Sequence, residues 1–320
     1  MVEKQIEVKV TEATPKQTNR TCYNSNCIAC GSICCFTYDS TYFKSGKVPE
    51  EIKEDIKDKF KTISNYMARN KLVLNSDKTH LLVMTSSIQH KKHDDFGITL
   101  DTGSEIIQPV QNEKLLGCYV SNNFKFNSHV RYEEKSMSNI FTSRVNALRK
   151  ISFTASFKVR KMIADGIVMS NILYIITVYG SCSDYLLSIL QVIQNTAARC
   201  VTRLGWRTRV SVLLLQCGWL SVRQMVFYHT MVQMFKIRQD GKPVYLYEKV
   251  SKEFQQKTRL ATGNGIKETE KIKSDERKRS FIPRATKNWN GLPVKLRSLT
   301  SVKLFKKELK IYVQINVNIM

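Results

Sequence analysis

The chain has 320 residues, 42% of them apolar, with a formal net charge of +24. Enough apolar side chains are present for a real core, which excludes a disordered chain. Nine scattered cysteines and a charged start, Met1-Val2-Glu3-Lys4-Gln5, speak against a secreted disulfide framework and for reduced thiols in an intracellular compartment.

In chain order, residues 1–31 read as polar and irregular. Cys22, Cys27, Cys30 and Cys34 give the spacing C-x4-C-x2-C-x3-C. It holds one C-x2-C pair and no nearby His, so ordinary thiols are favoured over zinc. Ser32–Phe43 is two short runs of β-formers, with a turn expected at Asp39-Ser40 that would carry one carboxylate at its tip. Residues 49–69 are predicted helical. Pro49 and two acids suit the first turn, and Ile52, Ile56, Phe60, Ile63 and Met67 form one stripe. Asn75-Ser76-Asp77 is a turn and Thr79–Thr85 a strand, which sets Lys78 at the strand entrance. Two strands at 97–101 and 104–110 would be joined by Asp101-Thr102-Gly103. Lys114–Val120 follows as another, with Gly117 as a bulge or a close backbone approach.

From residue 130 the pattern is helical: Val130–Ile151, Ser156–Val178, Tyr185–Leu204, Val210–Leu215 and Val222–Ile237. The 18 uncharged residues between Asp165 and Asp184 have membrane-span length. Ser170, Asn171, Thr177, Gly166 and Gly180 make them a buried core helix instead. Residues 251–280, with the cluster Arg277-Lys278-Arg279, read as a linker. Short helices at 284–289, 294–299 and 302–312 would then close over a small core of Trp289, Leu292, Leu296 and Leu299. The charge is uneven. Residues 1–130 carry 17 Lys/Arg against 15 Asp/Glu, whereas 131–250 and 251–320 each carry 17 against 6. A polyanion partner is implied, nucleic acid ahead of a membrane surface. The fold class expected is α+β.

The order of these pieces resembles the second half of the reverse transcriptase of a jockey-like non-LTR retrotransposon. Phe36-Thr37-Tyr38-Asp39-Ser40-Thr41 is similar to the family's palm hairpin, and Leu72–Thr79 to the Lys-bearing motif that follows it. Leu115-Leu116-Gly117 resembles the primer-grip hairpin. Ile193–Arg199, with Gln194-Asn195, resembles the thumb signature, and Pro283–Pro293 the C-terminal segment with its Pro-Arg, Trp-Asn and Leu-Pro. The likeness spans roughly residues 30–315 and divides the chain into an irregular 1–31, a partial palm at 32–129, a helical thumb at 130–250, a basic linker at 251–280 and a C-terminal segment at 281–320.

The resemblance implies RNA-directed DNA synthesis with Mg²⁺, an RNA–DNA template–primer hybrid as partner, deoxynucleotides as substrates of any remaining activity, and no membrane. It makes Asp39 a metal ligand, sets Lys78 near the leaving pyrophosphate and uses Leu116 and Gly117 as the primer grip. Arg144, Arg149, Lys158, Arg160, Lys161, Arg199 and Arg203 would meet phosphates. The alternative for each is a solvated cation on a helix face. Two departures follow from the same likeness. Tyr38 stands where the family has a first Asp, and the short stretch before the hairpin leaves no room for fingers or for the earlier palm strand with its own Asp. Phosphoryl transfer by two ions needs several converging carboxylates. The expectation is therefore a truncated, degenerate reverse transcriptase that does not polymerise alone, with a non-catalytic nucleic-acid-binding protein as the alternative.

Overall fold

Ile6, Val8 and Val10 alternate with Glu7, Lys9 and Thr11, and this two-residue period makes Lys4–Thr11 the first strand, β1. The computed structural model describes residues 4–11, 32–36, 39–46, 48–72, 74–85, 97–101, 105–251, 263–267, 272 and 274–316, with the backbone alone up to Ser40. It divides into two compact units, Met1–Phe124 and Lys125–Met320.

In the first unit, β2 (Ser32–Phe36) and β3 (Asp39–Gly46) form the expected hairpin, but Phe36 pairs with Asp39. The connection is therefore Thr37-Tyr38, which lies outside the described residues, and Asp39 opens a strand instead of occupying the turn. The helix α1 (Pro49–Arg69) follows, then β4 (His80–Met84). The sheet order is β2-β3-β1-β4. Both β3 and β4 run antiparallel to β1, so they are parallel to each other and joined through α1. This is a split β-α-β unit. It corrects the reading of residues 1–31 as wholly irregular, and it supplies a strand beside the hairpin where the sequence reading left no room. Ile52, Ile56, Phe60 and Met67 of α1 pack on Tyr42, Leu81 and Val83 of the sheet, with Ile98 and Leu100 closing the cluster.

The later strands are shorter than expected: β5 (Leu100–Asp101) with β6 (Ile106–Ile107), then β7 (Asn112–Leu115) with β8 (Cys118–Ser121). Residues 114–120 are thus a hairpin, not one strand. Its turn is Leu116-Gly117, with φ of 46° and 81°. Two positive φ angles match the twist of a two-residue hairpin turn. Gly117 takes that conformation freely, whereas Leu116 takes it against its Cβ.

The second unit is helical. A π-helical turn at Ser128–Tyr132 precedes α2 (Met137–Ile151) and α3 (Phe157–Ala164). The apolar stretch expected as one core helix is broken into a π-helical turn at Asp165–Met169, α4 (Ser170–Leu173) and α5 (Ile176–Tyr179). Its Val168, Ile172, Ile176 and Tyr179 are nonetheless buried. Next come α6 (Asp184–Thr202), α7 (Val210–Cys217) and α8 (Val222–Asp240). Ser221 and Gln224 form a capping box on α8, whose Met225, Thr230, Met231, Met234 and Ile237 are buried. Among the described residues no single helix is long and apolar enough to cross a membrane.

After α9 (Val244–Val250) and α10 (Asp275–Arg279) come α11 (Phe281–Asn290), α12 (Val294–Arg297) and α13 (Val302–Ile315). The C-terminal helices do not enclose a core of their own. Trp289 and Phe305 gather on Phe235 of α8, with Phe235 and Phe305 stacked at 4.3 Å between centroids. The described part of the expected linker is docked as well. Asn264 accepts the Trp289 indole N–H through its carbonyl at 2.9 Å, and Ile266 is buried between its two hydrogen bonds with Asn290. Together the two units make an α+β protein.

Candidate nucleic-acid interface

The hairpin gives Asp39 two neighbours across the sheet, Phe36 on β2 and Thr11 on β1, and gives Ser40 the neighbours Cys35 and Val10. None of these four register partners carries a carboxylate, and two-ion phosphoryl transfer needs several that converge. Cys22, Cys27 and Cys30 lie outside the described residues, and Cys34 is placed only by its backbone in β2. Lys78 ends the 3-10 turn Ser76–Lys78 and is exposed just before β4, a turn closed by the Thr79 hydroxyl donating to the Asn75 carbonyl at 2.8 Å. Leu116 is exposed at the tip of its hairpin, beside the Lys114 ammonium stacked 5.5 Å over the Tyr119 ring.

The seven cations assigned to phosphate contact fall into two groups. Arg160 is 5% exposed, and its guanidinium donates to the carbonyls of Val201 at 2.8 Å and Ala155 at 2.5 Å. Burial and then the neighbouring Arg203 charge hold it below the ordinary arginine range. Arg203 donates twice to the Ser152 carbonyl at the end of α2. Arg144 donates to the Ile167 carbonyl at 3.0 Å and Arg199 to the Trp206 carbonyl at 3.3 Å, while Lys161 pairs with Asp165 at 2.6 Å. Of the carbonyls so bound, those of Val201 and Ser152 lie where α6 and α2 end, among the groups a helix leaves without an internal partner. Arg160 is almost wholly removed from solvent, and its bonds to Val201 and Ala155 are structural. Arg149 and Lys158 are exposed and free to meet a ligand.

The same bonds bring the C-terminal ends of α2 and α6 against the start of α3. Two large rings stand out from that junction: Phe153 is 81% exposed and Trp206 76%, and Phe157 is exposed between them in sequence. The Arg207 guanidinium lies 5.0 Å over the Trp206 ring. Lys150 and Arg209 are exposed nearby in the chain. Acids are scarce: residues 135–239 contain 14 Lys/Arg and only Asp165 and Asp184. Asp165 is held by Lys161 and by the Trp219 indole N–H at 2.7 Å, and Asp184 by Arg223 at 3.1 Å. An uncompensated cationic face with projecting aromatic rings can bind phosphates and stack bases. The aromatic half escaped the sequence reading, although Phe153, Phe157-Lys158 and Trp206-Arg207 interleave rings with cations in the chain itself.

Two motifs behind the resemblance have internal partners. Gln194 is fully buried, donates to the Leu220 carbonyl at 2.8 Å and accepts from Gln191 at 2.9 Å; Gln191 in turn accepts the Val222 N–H at 2.8 Å. The pair fixes α6 to the start of α8. Arg284 donates to the carbonyls of Thr177 and Gly180 at the end of α5, and burial pushes it down to about 10. No family model, curated protein or solved structure matches the chain.

Proposed function

We propose that the protein is a nucleic-acid-binding remnant of a non-LTR retrotransposon reverse transcriptase, with the helical unit as its binding surface and no polymerase activity of its own. The observation that carries the binding is the junction of α2, α3 and α6. There Arg149, Lys158 and Arg207 are exposed around the rings of Phe153 and Trp206, and the acids of that stretch are already paired. Such contacts hold a backbone and stack bases without reading sequence.

The polymerase origin is supported by the split β-α-β sheet that carries the Asp39 hairpin next to β1. The loss of activity is supported by Thr11 and Phe36 as the partners of Asp39 and by Tyr38 in the sequence. Fluorescence anisotropy of labelled single-stranded DNA, RNA and RNA–DNA hybrid over a salt series tests the binding. Affinity should fall steeply between about 50 and 200 mM salt, with a log–log slope set by the phosphates contacted. Affinity that is flat across that range would refute the reading. Primer extension on poly-rA with Mg²⁺ or Mn²⁺ tests the rest: incorporation above that of Asp39→Ala would show a working site.

A further inference from the structure

The helical unit contains a half-open cavity of about 350 Å³, lined from α4, α5, α8 and α13. This volume lies at the small end of ligand cavities, which run from about 300 to 1,000 Å³. One wall is apolar: Leu173, Ile175, Ile176 and Val232. The other carries Lys236 and Lys306, and no acidic side chain lines the space. Burial, then the Lys306 charge, hold the lining His229 imidazole below its ordinary value, so the positive charge of the cavity comes from the two lysines.

The apolar wall is built at a cost. The helix breaks at Tyr174-Ile175, and Ile175 adopts φ 48° and ψ 26°. A β-branched residue in the left-handed region is a genuine outlier, and strain of this kind, about 1–3 kcal/mol, gathers where a fold shapes a ligand clamp. Ile175 and Ile176, at the break, both line the space.

We propose that this cavity binds an organic anion with an apolar tail, the head between Lys236 and Lys306 and the tail along Leu173, Ile175, Ile176 and Val232. A bare inorganic anion would leave the apolar wall wet, and a neutral lipid would leave two ammonium groups without a counter-charge. The recognised chemistry is the charged head on a short chain, and carboxylate and phosphate heads are tested side by side.

Calorimetric titration of the full chain with decanoate, decyl phosphate, decanol and inorganic phosphate decides it. At least one of the first two should bind, with decanol and inorganic phosphate weaker by about tenfold or more. The double variant Lys236→Gln/Lys306→Gln should lose about tenfold in affinity for the bound amphiphile, because both charge-assisted contacts go. Gln233→Trp, which fills the space from α8, should abolish binding. Circular dichroism confirms that each variant is folded, and the charge variant needs no buried packing to survive. Absence of binding by both amphiphiles, equal binding of decanol, or unchanged affinity in both variants overturns the proposal.

Discussion

Arg160 donates its Nε–H to the carbonyl oxygen of Val201 at 2.8 Å, across 41 residues of chain. With its second bond to Ala155, this buried guanidinium closes the end of α6 onto the start of α3. A cation that the charge pattern offers to nucleic acid is thereby spent inside the fold. The exposed Lys158, two residues earlier, has no such duty.

Stability and binding should therefore separate between these neighbours. Arg160→Met leaves two carbonyls unpaired and is expected to cost about 2–6 kcal/mol in urea unfolding, from about 1–3 kcal/mol for each orphaned group. Lys158→Gln is expected to change stability by less than about 0.5 kcal/mol while lowering the magnitude of the salt slope for nucleic acid by about 0.7–0.9. Equal stability losses in the two variants would remove the distinction.

The projecting rings make an independent case. Phe153→Ala and Trp206→Ala remove aromatic surface that buries little in the protein, so unfolding midpoints should stay within about 0.5 kcal/mol of the parent. Single-strand affinity should fall by about 1–3 kcal/mol for each ring on which a base stacks, with the salt slope unchanged. Anisotropy at two salt concentrations measures both. A loss confined to the slope would mean that the rings do not stack bases.

What could be read from the sequence follows from how local each cause is. The stripe of α1 and the Pro49 start are contained within 21 residues, and the helix forms where the spacing places it. β1 shows a two-residue alternation in Ile6, Val8 and Val10, but its charged neighbours hide it, and its pairing depends on partners at 39–46 and 80–84. The break at Ile175 has no Gly or Pro to announce it. Tertiary packing imposes a conformation that the residue itself disfavours. The arginine roles are less legible still, because a guanidinium bound to a carbonyl 41 residues away and one facing solvent look alike in a charge count. The same holds for residues 263–267, whose polar flanks suggest a linker while Trp289 and Asn290 hold them down.

The Gln191–Gln194 pair gives a test of the thumb-like signature as architecture. Gln194→Leu keeps the volume but orphans the buried Leu220 carbonyl and one side of Gln191. The expected loss is about 1–3 kcal/mol. Gln191→Leu removes the acceptor for the Val222 N–H at the first turn of α8 and should cost a comparable amount. The double variant should cost less than the sum, because the two side chains share one network. Strict additivity in urea unfolding would show that they act separately.

Three buried thiols carry a pH dependence with a definite sign. Burial pushes Cys118 and Cys182 up to about 12 and Cys217 up to about 11, from an ordinary 9.0. The folded chain therefore holds these protons more tightly than the unfolded chain. The stability they contribute is complete below pH 9 and declines as the pH rises toward 11–12. Arg284 acts in the opposite sense: its folded value of about 10 lies below its ordinary 12.5, so raising the pH through that range favours the fold. The thiol effect is cleanest between pH 9 and 10, where the urea midpoint should fall. At pH 8 iodoacetamide should label Cys118, Cys182 and Cys217 slowly in native buffer and quickly in urea, with mass mapping of each peptide. Cys118 reports on the first unit and the other two on the second, so their protection should be lost at separate urea concentrations if the units unfold independently. Rapid native labelling of Cys217 would contradict its burial at the end of α7.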